Sequence, residues 1–315
     1  MANYKVGDII RLSRNFIGIS QEELAFRAGL ATETISRIES GKHKITAQTY
    51  KKIMNVLNYF PERNYAICSR RDMEIIEERK LLELAETKYE HDNQEYYINR
   101  IKEQIGDNVI DRQYVLRAEA MLKYGRDEKN SKMAIQELEQ ALRLTIKDWN
   151  FEEYKDKKYP YTYQELIILM NLSDVYSVAE QCEKALKMYD MVIKCLDSGY
   201  ISGEDMEKFR LVVKRNMTIT YEMMGKYELA LRILEEVLEE SIVLKYGTMI
   251  SLALYDIAWN MAKLNEIYQH EHFSSESIKE KLTQAYYVSS SRNDKYIKNL
   301  ARDFSVELFN DDIKC

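Results

Sequence analysis

Glycine and proline are scarce, at 10 and 2 in 315 residues, where average usage would supply roughly 38 together. Strand-rich folds need both at their many turns, so a β-sandwich, barrel or propeller is excluded. No apolar run approaches the roughly 18 residues of a membrane span; the longest strongly apolar stretch is Leu166 to Met170. The segment Met-Ala-Asn-Tyr-Lys-Val-Gly-Asp at the start has no apolar h-region, so no secretory signal is expected there. The four cysteines, Cys68, Cys182, Cys195 and Cys315, lie far apart with no CxxC or Cys/His spacing. Free thiols, no metal and a cytoplasmic setting are the expectation.

Catalytic patterns are missing too. There is no Gly-rich phosphate loop and no GxSxG. His43 lies in a basic loop and His91 is isolated, while His270 and His272 flank Glu271 without a third ligand at a helical offset. The sequence therefore points to no catalytic residue, no cofactor and no enzyme.

What is present is helical. Hydrophobic residues make up 45% of the chain, enough to bury a core. The net charge of −6 hides an asymmetry: residues 1–69 carry 10 Lys/Arg against 6 Asp/Glu, whereas 70–315 carry 36 against 46. A small basic head on a large acidic body places any nucleic-acid contact in the head.

In the head, Ile9, Ile10, Leu12 and Phe16 give one apolar helix face, which Gly18 interrupts. Ser20-Gln21-Glu22-Glu23 forms a capping box, with Ser20 as cap and Glu23 reaching back, opening a helix to about Ala28. Gly29 supplies a sharp turn. A third helix is predicted from Thr32 to Glu39 with Ile35 and Ile38 inward, stopped by Ser40-Gly41. Thr46 caps a fourth helix carrying Tyr50, Ile53, Met54 and Leu57, and Pro61 closes the unit.

From Asp72 onward, long amphipathic helices are predicted at about 72–91, 93–105, 107–124, 130–146, 161–178, 181–197, 204–223, 226–243, 247–268, 275–290 and 294–310. They contain a repeat. Asn171-Leu172-Ser173-Asp174-Val175-Tyr176 matches Asn216-Met217-Thr218-Ile219-Thr220-Tyr221, and Glu183-Lys184-Ala185-Leu186 matches Glu228-Leu229-Ala230-Leu231, each 45 residues on. In both copies the aromatic residue of the first helix precedes the alanine of the second by nine. That is the spacing of a tetratricopeptide helix pair, in which alanine permits close approach. Lys132-Met133-Ala134-Ile135 with Leu138 and Ala141, and Leu282 with Ala285 and Tyr286, read as further second helices. The expected fold is all-α: a head at 1–66, a linker at 67–71, and a right-handed tetratricopeptide-like array at 72–315. A generic helical bundle is the alternative.

Gly18-Ile19-Ser20-Gln21-Glu22-Glu23-Leu24-Ala25, Ala28-Gly29-Leu30 and Ile35-Ser36-Arg37-Ile38-Glu39-Ser40-Gly41-Lys42 together resemble the helix-turn-helix of the phage Cro/repressor (XRE) family. A B-form major groove admits one α-helix, held at an angle by the glycine turn. On that geometry Thr32, Glu33, Ser36 and Arg37 face outward to read bases, Arg37 a guanine edge and Glu33 a cytosine amine. The resemblance makes Gln21 a phosphate contact; Arg14, Lys42, His43 and Lys44 are further candidates. Ala31 stands where the family has a capping Ser or Thr, so either Thr32 caps the helix or its start frays.

A helical array suits an extended peptide or a partner helix on its concave face. Candidates there are Asn171, Asp174, Arg215 and Asn216; an amide recurring at one repeat position suits a peptide backbone, although it can equally face water. A repressor-type head joined to such a body resembles the peptide-pheromone quorum-sensing regulators of Gram-positive bacteria, the PlcR, PrgX, Rgg and ComR family. The resemblance implies a homodimer that binds an operator, in all expectation an inverted repeat in double-stranded DNA, under control of a short signalling peptide, with no membrane role. The alternatives are a regulator whose body binds a protein, and an enzyme-regulating helical scaffold.

Overall fold

The computed structural model describes residues 6–43, 45–57, 70–106, 109–198, 203–310 and 313. These form α-helices and one short 3-10 turn, with no strand among the described residues. By contact density the chain divides into two compact units. One comprises Met1–Leu82, Asp92–Leu172 and Asp190–Gly203; the other comprises Glu83–His91, Ser173–Tyr189 and Glu204–Cys315.

The first unit opens with α1 (Val6–Ile17), α2 (Gln21–Ala28), α3 (Thr32–Glu39) and α4 (Ala47–Val56). Ser20 caps α2, its side chain accepting from the Glu23 amide, and Thr46 caps α4 in the same way through Thr49. Only one arm of the expected capping box forms. The Glu23 carboxylate accepts instead from Arg27 Nε at 2.6 Å, because the (i, i+4) cation lies on the same helix face. Gly29 ends α2 at φ 63°, its N–H returned to Ala25 and Phe26; only glycine enters this region without strain. Ile10, Leu24, Ile35, Ile53, Met54 and Leu57 fill the core with no exposed surface.

Gly7 carries a second glycine requirement, which periodicity does not reveal. A Cβ placed there would lie 2.1 Å from the backbone oxygen of Ile38, so α1 crosses the end of α3 in direct backbone contact.

The chain continues with α5 (Arg70–Thr87), α6 (His91–Gln104), α7 (Val109–Arg126), α8 (Ser131–Arg143), the single-turn α9 (Phe151–Tyr154), α10 (Tyr163–Val178) and α11 (Cys182–Asp197), of which α5, α10 and α11 are divided between the two units. Leu82, Ile98, Ile101, Tyr114, Val115, Ala118 and Leu122 make one core cluster. A buried polar relay links the chain across three segments. Gln113 Nε2 donates to Thr145 Oγ1 at 2.8 Å, and Thr145 donates to Glu165 Oε1 at 2.5 Å.

The second unit is built on α12 (Glu204–Met223), α13 (Tyr227–Val243), α14 (Gly247–Tyr268), α15 (Ser275–Ser291) and α16 (Lys295–Phe309). Each packs on the next. Ala230, Ala253, Ala258, Ala285 and Ala301 are fully buried between them, where a small side chain lets backbones approach. The expected helices therefore stand, with two differences. Residues 151–154 add a short helix that four residues cannot announce by periodicity. The first long helix ends at Thr87 rather than continuing to residue 91, because Tyr89 adopts φ 57° and turns the chain. Glu180, Lys245, Gln269, Asn293 and Asn310 take the same left-handed conformation without being glycine. That is how a chain so poor in glycine still ends its helices. The expected linker at 67–71 falls largely on residues outside those described.

Candidate nucleic-acid interface and polar cluster

Helix α3 buries Ile35 and Ile38 and turns Thr32, Glu33, Ser36 and Arg37 to solvent. Its N-cap is Ala31, which offers no side-chain hydrogen bond. The Ala31 carbonyl still starts the helix, accepting from Thr34 and Ile35, so Thr32 is the first helical residue and its hydroxyl is not used as the cap. Arg37 Nη1 lies 3.7 Å from Glu33 across one exposed turn, a loose pair that water screens. Lys42 and His43 are exposed just beyond the helix. Lys44 lies outside the described residues.

Arg14 and Gln21 are occupied within the unit. Glu39, at 4% exposure, accepts from Arg14 Nε at 2.7 Å, Arg14 Nη2 at 3.0 Å and Gln21 Nε2 at 2.7 Å. Arg14 Nη1 donates to the Ile19 carbonyl at 2.9 Å. One carboxylate with three charge-assisted or amide donors thus ties the ends of α1, α2 and α3 together. This fixes the angle at which α3 is held.

In the second unit, Asp174 Oδ1 accepts from Asn216 Nδ2 at 3.0 Å and also from the buried Tyr189 hydroxyl. Arg215 makes a bidentate pair with Asp256, Nε to Oδ2 at 2.7 Å and Nη2 to Oδ1 at 3.1 Å. Asn171, in the first unit, is 7% exposed, and its side-chain oxygen has no hydrogen-bond partner among the described residues. The two repeat-related amides therefore sit in different surroundings.

Sequence reading missed Glu222, Asp256 and Asn260. Asn260 Nδ2 donates to Glu222 Oε1 at 2.6 Å and to the Asp256 carbonyl at 2.8 Å. Burial pushes the Glu222 carboxyl up to about 7, helped by Asp256 and opposed by the Asn260 hydrogen bond and Arg215. The rings of Tyr89 and Tyr296 meet at 4.4 Å between centroids, tilted by 32°. A signal for Asn260 does exist: it follows Asn216 by 44 residues, close to the 45-residue period that separates Asn216 from Asn171.

These features define a helix-turn-helix domain joined to a helical array. Residues 10–62 match the family described as "Helix-turn-helix". Over nearly its whole length the chain is similar in fold to two solved structures. The first is PlcR of Bacillus thuringiensis in complex with the peptide PapR7 and DNA, at TM-score 0.62 and 16% identity, covering 94% of this chain and 98% of that one. The second is ComR of S. thermophilus in complex with DNA and its signalling peptide ComS, at TM-score 0.51 and 12% identity, covering 96% and 99%. No curated protein matches the sequence. No described helix is long and apolar enough to cross a membrane.

Proposed function

We propose that this protein is a sequence-specific DNA-binding transcriptional regulator whose helical array binds a short signalling peptide. The observation that carries the DNA half is the outward display of Thr32, Glu33, Ser36 and Arg37 on a helix whose opposite face is locked into the core. In this reading these four side chains touch base edges, while Lys42, His43 and Lys44 touch phosphates and set register. Gln21, at the first turn of α2, adds a phosphate contact from the positive end of that helix. Arg14 serves the interface indirectly by holding Glu39. The peptide half is supported by the likeness in fold to two regulators solved with peptide and DNA. Asp174, Arg215 and Asn216 belong to the polar layer on which a peptide would lie, with Asn171 a buried neighbour in sequence. The regulator works in the cytoplasm as a homodimer on an inverted repeat, with the head at 1–66, a linker at 67–71 and the sensing body at 72–315.

The test is selection of duplexes from a random DNA pool by the full chain, followed by gel shifts with Arg37→Ala. The variant is expected to lose about 1–3 kcal/mol and to relax preference at one base position. Unchanged affinity and unchanged preference would remove α3 as the reading helix.

A further inference from the structure

On the peptide reading above, we infer that Glu222 and Asn260, facing each other from α12 and α14, form a subsite for a cationic group of the ligand, an ammonium or a guanidinium. Arg215 and Asp256 pair through two hydrogen bonds, so together they present little net charge. Asn260 has two amide hydrogens, and both are taken, one by Glu222 and one by the Asp256 carbonyl. Its side-chain oxygen is fully buried and has no hydrogen-bond partner among the described residues. Glu222 receives a single hydrogen bond among the described residues, the one from Asn260. Asn260 therefore keeps an acceptor with no donor, and Glu222 keeps acceptor capacity beyond the one bond it receives.

An orphaned amide oxygen beside a half-buried carboxyl calls for a donor, and a charged donor answers both needs. A ligand carboxylate would instead meet Glu222 and Asp256, with the Arg215 charge already countered by Asp256. Aromatic faces support the same choice. The paired Tyr89 and Tyr296, together with Tyr255, lie within electrostatic reach of Arg215 or Asp256. Tyrosine rings attract ammonium and guanidinium groups. Burial that holds the Glu222 carboxyl near 7 means its charge is poorly compensated in the free chain. An incoming cation supplies that compensation.

The experiment uses the full chain and two random heptapeptide libraries with amidated C-termini, one with free and one with acetylated N-termini. Retained peptides are sequenced by mass spectrometry. The wild type should favour peptides bearing Lys, Arg or a free amino end by about tenfold over acetylated peptides lacking both. Glu222→Gln, which keeps the shape and the Asn260 hydrogen bond, should retain peptides without that preference. Should the variant unfold, the wild type alone decides: its cationic preference must fade as pH falls from about 8 to about 5 and Glu222 takes up a proton. Peptides retained with no cationic preference, or with one unchanged by the variant and by pH, would overturn the subsite alone. Retention of no peptide by either protein would overturn the peptide reading, and the subsite with it.

Discussion

Two carboxylates, one in the head and one in the array, are held in opposite ways. Glu39 is almost wholly buried and receives three hydrogen bonds from Arg14 and Gln21. Glu222 is partly buried and receives one, from a neutral amide. The first arrangement is complete without any ligand. A paired, desolvated carboxylate of this kind fixes geometry, here the angle between three short helices. The second is incomplete, and an incomplete polar cluster responds to what approaches it. The comparison suggests a division of labour, with a head rigid enough to present four side chains in register and an array left open to a charged partner.

The sharpest way to break this comparison is to remove the cation from the closed side. Arg14→Ala strands Glu39 with only its Gln21 contact and is expected to cost about 3–5 kcal/mol of head stability. Replacing both partners, Arg14→Met with Glu39→Leu, should restore most of that loss, because no unpaired charge is then buried. Denaturant unfolding of the full chain, followed by hydrogen exchange over α1 to α3, reads both. A loss under about 1 kcal/mol for Arg14→Ala would mean that Glu39 is not the closed site described here.

Helix faces were legible because apolar spacing is a local property: Ile35 and Ile38 inward forces Thr32, Glu33, Ser36 and Arg37 outward. The 45-residue repeat was legible for the same reason, and its two alanines, Ala185 and Ala230, are both fully buried. Ion pairing was not. Arg14 reaches Glu39 across 25 residues and Arg215 reaches Asp256 across 41. Nothing in a local window says which cation is free for a phosphate or a ligand and which already has a partner. Arg14 and Arg215 therefore looked available in the sequence, while Glu222 looked like one of many solvated acids. Tyr89 shows the same limit for backbone: an ordinary helical residue by propensity, it turns the chain where its ring meets Tyr296.

A smaller effect sharpens the rigidity of the head without touching its charges. Gly7→Ala would drive a methyl group into the Ile38 carbonyl. Overpacking of this kind costs about 1–3 kcal/mol, and the upper end is expected because the obstacle is backbone. The loss should appear as a lower unfolding midpoint and faster exchange in α1 and α3, with the array unaffected. Full stability in Gly7→Ala would show that the α1–α3 crossing yields easily, and the head would then lack the stiffness the comparison assigns to it.

The smallest predicted effect belongs to the open side and depends on pH. The Glu222 carboxyl rises from 4.5 to about 7 on folding, with burial as the main cause. The folded chain therefore binds this proton more tightly than the unfolded chain does. Below about pH 4.5 both states are protonated and the residue carries no penalty. As pH rises through the window from 4.5 to about 7, the folded state must give up a proton it holds more tightly, so the stability associated with Glu222 falls; above about 7 the loss is complete. Glu222→Gln removes the titration and keeps the Asn260 contact. The variant should therefore gain on the wild type as pH rises, by about 1–3 kcal/mol at pH 8 after allowance for partial exposure, and should show no gain at pH 4.5. Other carboxylates titrate over the same range, so the quantity to measure is the difference between the two unfolding curves at each pH. A difference that stays flat from pH 4.5 to 8 would mean that Glu222 is compensated in the free chain. The contrast with Glu39 would then collapse, and with it the reason for expecting a cation at that site.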